Sequence, residues 1–335
     1  MKLLFAHRKP RPYGNFSIEN YFQTLSPFLE KEAELEHWQA PHFSNGIVPR
    51  YMSVKALETK VEKWRPNITH VSGDVHFLMW GIPKGKRVLT IHDIGFLREA
   101  KGLKYQLLRY FWLTGPVKKA HVITCVSTAT KNEILRHLPK ARRIQVIPTV
   151  VDQRFVRADK AFNTECPTIL LLGSAPNKNL KRVLKATQGL NVKLSIVAKL
   201  DAEELELLQG QKYEVCESIP FEDLLEKYKQ ADIVSLCSTH EGFGMPIIEA
   251  QATGRVVITS NCSSMPDVAG KGALLVDPFS VKSIKEGLQQ LISNDSLRNE
   301  LIAAGFENCK RFDPAVVAQK YLKIYRKLIP DNVLS

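Results

Sequence analysis

Two glutamates bracket the stretch His240-Glu241-Gly242-Phe243-Gly244-Met245-Pro246-Ile247-Ile248-Glu249, eight positions apart with two glycines and a proline between them. A buried-strand pattern, Asp232–Ser238, precedes the stretch, and a helix pattern, Pro246–Ala252, follows it. Pro246 suits the first turn of a helix, where its missing N–H costs nothing. Gly254 suits the stop. Glu241 therefore falls in a glycine-rich loop and Glu249 about one turn into the helix. Backbone N–H groups at a helix start can hold an anion, and Gly242, Phe243, Gly244 and Met245 form the turn that leads into it. A strand, a glycine loop, a helix start and two carboxylates make a cradle for a phosphorylated sugar. The competing reading is an ordinary strand-turn-helix in which Glu241 caps the helix, but capping alone requires neither both glycines nor the second glutamate.

A second element is Leu171-Leu172-Gly173-Ser174-Ala175-Pro176-Asn177-Lys178-Asn179-Leu180, at another strand-to-helix junction. Loop N–H groups and Lys178 can neutralise a diphosphate there. A lysine at a helix start opposes the helix dipole unless an anion is present. Gly173 and Asn179 complete the turn. A third element, Val88–Ile94, is a buried strand ending in His92-Asp93. A structural His–Asp pair is its alternative reading. A fourth, Tyr13–Glu19, offers Gly14 for close approach of the backbone to a phosphate, or a plain turn.

These loops need a scaffold, and the chain supplies one. Strand-like runs near Lys2–Ala6, Ile68–Val71, Arg87–Ile91, Val122–Cys125 and Ile144–Ile147 alternate with helical stretches in the first half. Runs near Thr168–Leu172, Lys193–Val197, Asp232–Leu236, Val256–Thr259 and Ala273–Val276 do so in the second. This alternation predicts parallel α/β sheets covered on both faces. A length of 335 residues suits two domains, with Pro148, Asp152 and the charged Arg154–Lys160 segment as their linker. Ligands of open α/β sheets sit outside the carboxyl ends of the strands, so these loops belong there. The last segment, Pro314–Ile329, has Val317, Tyr321, Ile324, Tyr325 and Leu328 on one helical face.

Residues 1–150 carry 24 Lys and Arg against 11 Asp and Glu, whereas residues 151–335 carry 23 of each, so the whole excess of +13 lies in the first half. That charge suits an anionic partner or simply a solvated basic surface. There is no apolar run of 18 residues to span a membrane. The N-terminal apolar run is too short for a signal peptide. The six cysteines are scattered without metal-type spacing, which suits reduced thiols in a cytoplasmic protein.

The decad at 240–249 resembles the E-x7-E motif of retaining glycosyltransferases of family 4. The segments Gly173…Lys178-Asn179-Leu180, Thr90-Ile91-His92-Asp93, Ile123–Ser127 and Val146–Asp152 resemble the same family, so that the likeness runs from about residue 87 to the end. Asn177 stands where an arginine is common, and Thr149 and Val150 stand where Asn and Gly are usual. The resemblance implies an α/β GT-B fold: two Rossmann-like parallel-sheet domains facing a cleft. Residues 1–152, joined by a last helix at 314–330, would bind the acceptor, and residues 165–312 the donor. It implies a nucleoside-diphosphate sugar as co-substrate and no cofactor. Glu241 would meet donor-sugar hydroxyls, Glu249 the nucleotide ribose, and His92 the transferred sugar, with Asp93 orienting His92 or touching the acceptor. Gly14, Gly173, Lys178, Asn179 and the 242–245 turn would complete the donor site. No Asp-x-Asp pair occurs, in keeping with a metal-independent mechanism.

The acceptor is expected to be a glycan or a lipid-linked glycan of cell-surface polysaccharide. Residues 98–119 hold six Lys and Arg among Tyr105, Tyr110, Phe111 and Trp112. They suit an interfacial helix on the anionic inner face of the cytoplasmic membrane, or an amphipathic helix with an aromatic core face. A nucleic-acid-binding protein is the non-enzyme alternative, although no helix-turn-helix, zinc-finger or RNP pattern is present. Another GT-B activity and an inactive family member acting as a partner subunit also stay open.

Overall fold

The apolar runs become two sheets in which all strands are parallel. The computed structural model describes residues 1–10, 17–44, 46–98 and 100–329. The chain forms two units, Met1–Val150 with Pro314–Ser335, and Val151–Asp313. In the first, β1 (Lys2–His7), β2 (Glu34–Gln39), β3 (Ile68–Ser72), β4 (Lys86–Ile91), β5 (Val122–Cys125) and β6 (Ile144–Val146) lie in the order β2-β1-β3-β4-β5-β6. In the second, β7 (Thr168–Leu172), β8 (Lys193–Val197), β9 (Lys212–Cys216), β10 (Ile233–Leu236), β11 (Val256–Ser260) and β12 (Leu274–Val276) lie in the order β12-β11-β10-β7-β8-β9.

β2 and β9 are the two strands that sequence patterning did not predict. Both are sheet edges. Glu34-Leu-Glu-His-Trp-Gln39 and Lys212-Tyr-Glu-Val-Cys216 keep much of their surface in water. Each therefore lacks the continuous apolar run of a strand covered on both faces. The segment Arg154–Lys160, expected as a linker, packs on the second unit. Lys160 pairs with the buried Asp232, and Ala158 exchanges hydrogen bonds with Thr253 and Arg255.

Each sheet has one reversal of strand order. In the second unit the chain winds from β7 through β8 to β9, then returns to place β10 on the other side of β7, with Ile233 opposite Ile169. In the first unit β1 lies between β2 and β3. Loops leaving the carboxyl ends of strands at such a reversal diverge to opposite faces of the sheet and leave a crevice. In the second unit those loops are 173–179 and 237–244, the two phosphate-cradle candidates.

The last helix, Pro314–Leu328, packs on the first unit with Val317, Ala318, Tyr321, Leu322, Ile324 and Tyr325 buried against Phe5, Phe22 and Val88. Its tyrosines do more than fill space. Tyr325 Oη bonds His70 Nδ1 at 2.7 Å, and His70 Nε2 bonds Thr90 Oγ1 at 2.7 Å. Thr90 reaches Thr124 at 2.6 Å, and Tyr321 Oη meets Tyr21 Oη at 2.9 Å. Burial holds the His70 imidazole well below its ordinary pKa, so it is neutral, with one nitrogen donating and the other accepting. Tyr325→Phe would leave one buried ring nitrogen unpaired. The expected cost is about 1–3 kcal/mol, read as a lower urea midpoint with an unchanged m-value. An unchanged midpoint would mean that this bond contributes nothing to holding the helix.

Candidate active site

The loop after β7 is built by conformation first. Gly173 adopts φ +82°, and its N–H donates to the Val197 carbonyl at 2.9 Å. A short 3-10 turn, Pro176–Lys178, follows, and then Asn179 at φ +60°. Asn tolerates this left-handed position better than most residues, and its side chain is fully used. Nδ2 donates to the carbonyls of Cys237 (2.9 Å) and Pro278 (2.7 Å), while Oδ1 accepts from Arg182 (2.7 Å). Asn179 thus anchors the loop and has no side-chain donor left for a ligand. Asn177, the residue in the usual arginine position, also ties the two loops. Its Nδ2 donates to the His240 carbonyl at 2.9 Å, and its carbonyl accepts from the Thr239 N–H at 2.8 Å.

Lys178 meets Glu241 across the crevice at 2.8 Å, Nζ to Oε1. Ser238 Oγ donates to the same oxygen at 2.7 Å, and Oε2 has no hydrogen-bond partner among the described residues. Glu241 therefore does not cap the helix. It is the anion that offsets Lys178 beside a helix start, the role the sequence left for a ligand. Its backbone is clamped from the loop after β11. The Glu241 N–H donates to Ser263 Oγ (3.3 Å), which in turn donates to the Glu241 carbonyl (2.9 Å). Ser264 Oγ reaches the Phe243 carbonyl at 2.7 Å. Ser263 sits at φ +56°, a conformation costly for serine.

The turn then enters the helix Met245–Thr253. Its N-cap is Gly244 at φ +108°, with no side-chain cap and with Pro246 in the first turn. A Cβ at Gly244 would stand 3.2 Å from Ile247 Cδ1, so glycine is needed on both conformational and spatial grounds. Phe243 is buried edge-on against Phe312 at 5.6 Å and sets the base of the turn. Gly254 at φ +77° ends the helix by donating to the carbonyls of Ala250 and Gln251.

Glu249 is partly buried. Its Oε2 accepts a 2.5 Å hydrogen bond from the hydroxyl of Tyr228, a fully buried residue of the helix Phe221–Gln230. Burial pushes the Glu249 carboxyl up to about 7. The Tyr228 hydrogen bond and the Lys178 charge pull it down, and the nearby Asp152 carboxylate pushes it further up.

In the first unit, His92 follows β4 at its carboxyl end. Its ring lies edge-on to Tyr21 (5.9 Å between centroids), and its buried Nε2 has no hydrogen-bond partner among the described residues. Burial lowers its pKa to about 4. Asp93 does not orient it: the Asp93 carboxylate accepts from the Gly95 N–H at 2.8 Å instead. An Asp two residues before an exposed N–H closes a local turn more readily than it folds back on its neighbour. Gly14 lies outside the described residues. The structure adds Arg8 and Asp74, paired at 2.8 Å across the β1–β3 reversal.

Sequence reasoning missed Ser238, Ser263, Ser264 and Tyr228. The small-residue run Ser260-Asn-Cys-Ser-Ser264 after a buried strand was a usable signal for a tight loop. Nothing in the spacing of Tyr228 separates it from an ordinary core aromatic.

The chain is similar to known proteins. Residues 152–308 match the glycosyl transferases group 1 family and residues 22–155 match glycosyltransferase family 4. The O-antigen chain mannosyltransferase B of Escherichia coli is 34% identical over 110 residues, 33% of this chain and 29% of that protein. The matches to the first curated relatives span only about a third of their lengths. Among solved structures, the sucrose-phosphate synthase of Thermosynechococcus elongatus superposes with a TM-score of 0.81 at 16% identity, covering 98% of this chain and 99% of that one. Anabaena Alr3699/HepE, solved with UDP and glucose, superposes with a TM-score of 0.78 at 15% identity, covering 98% of this chain and all of that one. At such identities the structures show a shared fold. The two family matches, side by side along the chain, show that it belongs to the family 4 glycosyltransferases, and the solved structures show that its fold is GT-B.

Proposed function

We propose that this protein is a retaining, metal-independent glycosyltransferase. It moves a hexose-type sugar from a nucleoside-diphosphate sugar to a glycan or lipid-linked acceptor in cell-surface polysaccharide assembly. The observation that carries this reading is the Lys178–Glu241 pair at the strand-order reversal of the second unit, with Glu249 one turn into the helix that follows. The UDP complex of the Anabaena neighbour and the O-antigen role of the E. coli relative support it.

The donor's diphosphate takes Lys178 from Glu241, and Glu241 is left to accept from sugar hydroxyls. As the bond from the anomeric carbon to the diphosphate breaks, negative charge grows on the leaving oxygen. Lys178 and the start of the helix Met245–Thr253 stabilise it there. The acceptor oxygen forms the new bond to the anomeric carbon, and its proton passes to the departing diphosphate. His92 is the first unit's candidate hydrogen-bond partner for the transferred sugar. The test is an assay of nucleoside-diphosphate release and sugar transfer with EDTA present, followed by NMR of the product anomer. Inverted configuration, or dependence on a divalent ion, would refute the corresponding part of the reading.

Peripheral contact with an anionic membrane is part of the same proposal. No helix among the described residues is long and apolar enough to cross a membrane. Leu103, Leu107, Tyr110 and Phe111 are exposed at helical spacing beside Lys101 and Lys104, Leu103 at 75%. An apolar stripe with flanking cations suits a headgroup boundary. The protein is expected to co-sediment with vesicles containing anionic lipid and much less with neutral ones. Leu107→Asp with Phe111→Asp should release it. Equal sedimentation of the double variant would remove this surface from the account.

A further inference from the structure

Tyr228 is fully buried, and among the described residues its hydroxyl makes one hydrogen bond, to Glu249 Oε2. Its ring is held edge-on by Phe155 at 5.1 Å, and Phe155 is braced edge-on by Phe221 at 5.6 Å. The Arg154 guanidinium covers Phe221 at 3.7 Å and also holds Asp152 through a 2.7 Å ion pair. The hydroxyl therefore cannot wander, and with it one oxygen of Glu249 is fixed. The other oxygen, Oε1, has no hydrogen bond among the described residues and is not closed off from solvent.

We propose that Tyr228 is a positioning residue of the donor site: its buried hydroxyl pins Oε2 of Glu249 so that Oε1 is presented as an acceptor to the hydroxyls of a bound nucleoside. This rests on the reading of Glu249 as a donor-site residue and adds what controls it. A hydroxyl donor favours the ionised carboxylate over the acid. It opposes the burial and the Asp152 charge that favour the protonated form, and Lys178 acts in the same direction as the hydroxyl. Asp152 itself stays ionised, because the hydrogen bonds and charge of Arg154 outweigh its burial. The carboxylate thus titrates near neutrality, and nucleotide affinity falls as pH drops below about 7.

The test uses the full chain and UDP, GDP and ADP, taking forward whichever binds, with calorimetric affinities from pH 6 to 8.5. Removing one hydrogen bond to the ionised form raises a carboxyl pKa by about one unit. Tyr228→Phe is therefore expected to weaken binding about fivefold at pH 7 and to converge on the wild type by pH 8.5. In a Glu249→Gln background, Tyr228→Phe should have no further effect. A carbon-13 titration of the Glu249 carboxyl should move upward in Tyr228→Phe. Parallel pH profiles, an unmoved carboxyl titration, or a full loss in the Gln background would each overturn the positioning role. The donor-site reading fails separately, if Glu249→Gln leaves nucleotide affinity unchanged while the carboxyl titration still moves in Tyr228→Phe.

Discussion

Lys178→Met lowers kcat/KM by about 10²- to 10³-fold, the effect expected when one preorganised group on a developing charge is lost. Methionine keeps most of the lysine's length and apolar stem. What goes is the ammonium that faces Glu241 in the free protein and, in the proposed mechanism, the diphosphate. The loss should grow with phosphate charge. Affinity for a nucleoside diphosphate falls, while affinity for the bare nucleoside, which would rest on Glu249 and the surrounding loops, stays within about twofold. A folding defect would look different. Glu241 keeps its bond to Ser238 and is only partly enclosed, so an unpaired carboxylate should cost about 1–3 kcal/mol without unfolding the chain. Lys178→Arg should recover part of the activity, because it restores charge but brings a planar fork to a site shaped for a point charge. Steady-state kinetics with thermal melts on the three proteins decides it. Wild-type kcat/KM in Lys178→Met would remove the residue from the mechanism.

On acidification, the first unit is expected to unfold before the second. Its core holds a relay of neutral rings: Ser72 Oγ to His7 Nδ1 at 2.6 Å, His7 Nε2 to His37 Nδ1 at 2.7 Å, and His37 Nε2 to Ser26 Oγ at 2.8 Å, with Ser26 donating to the Phe22 carbonyl. Because Ser26 donates away, each ring keeps one tautomer: a further proton on His37 Nδ1 would set N–H against the N–H of His7 Nε2, and one on His7 Nδ1 would displace the hydrogen bond it accepts from Ser72. Burial and the neighbouring His37 lower His7 to about 3, and burial lowers His92 to about 4. Both folded values lie below the unfolded 6.5. Between the two values the unfolded chain therefore binds more protons, and stability falls as pH falls. At about 1.4 kcal/mol per unit, His7 accounts for about 4–5 kcal/mol down to pH 3 and His92 for about 3–4 kcal/mol down to pH 4. That sum rivals the whole stability of a typical domain. Glu249 acts the other way in the second unit. Its carboxyl is raised, so stability there rises as pH falls from about 7 toward the unfolded value of 4.5. Two-step unfolding between pH 6.5 and 4, followed by amide exchange resolved on the two sheets, is the expected record. His7→Gln should shift the first step to lower pH; a shift in the opposite direction would contradict the relay.

Much of this was legible in the sequence because burial on both faces of a sheet writes continuous apolar runs. β5, β7 and β8 are found at the residues read as strands. β2 and β9 were hidden because edge strands face water and mix Glu, Lys and aromatic residues. In the site, residue types announced Glu241, Glu249, Lys178 and His92. Their pairings were not announced, because a pairing depends on which loops the strand order brings together. Lys178 and Glu241 are 63 positions apart and meet only because β10 returns beside β7. Asn179 was legible as part of the loop, but its use as an anchor depends on the distant Cys237 and Pro278 carbonyls. Tyr228 was invisible for the same reason: a buried tyrosine becomes informative only when the partner of its hydroxyl is known. Asp93 was read from adjacency to His92, and adjacency in sequence lost to the turn at Gly95.

The loops after β7 and β10 are proposed to form a nucleoside-diphosphate site. Calorimetric titration of UDP, GDP and ADP in EDTA, on the wild type and on Lys178→Met, tests it most directly. One of the three should bind the wild type, and Lys178→Met should weaken that binding by at least about tenfold, or about 1.4 kcal/mol. Failure of all three to bind, or equal binding by both proteins, would contradict it.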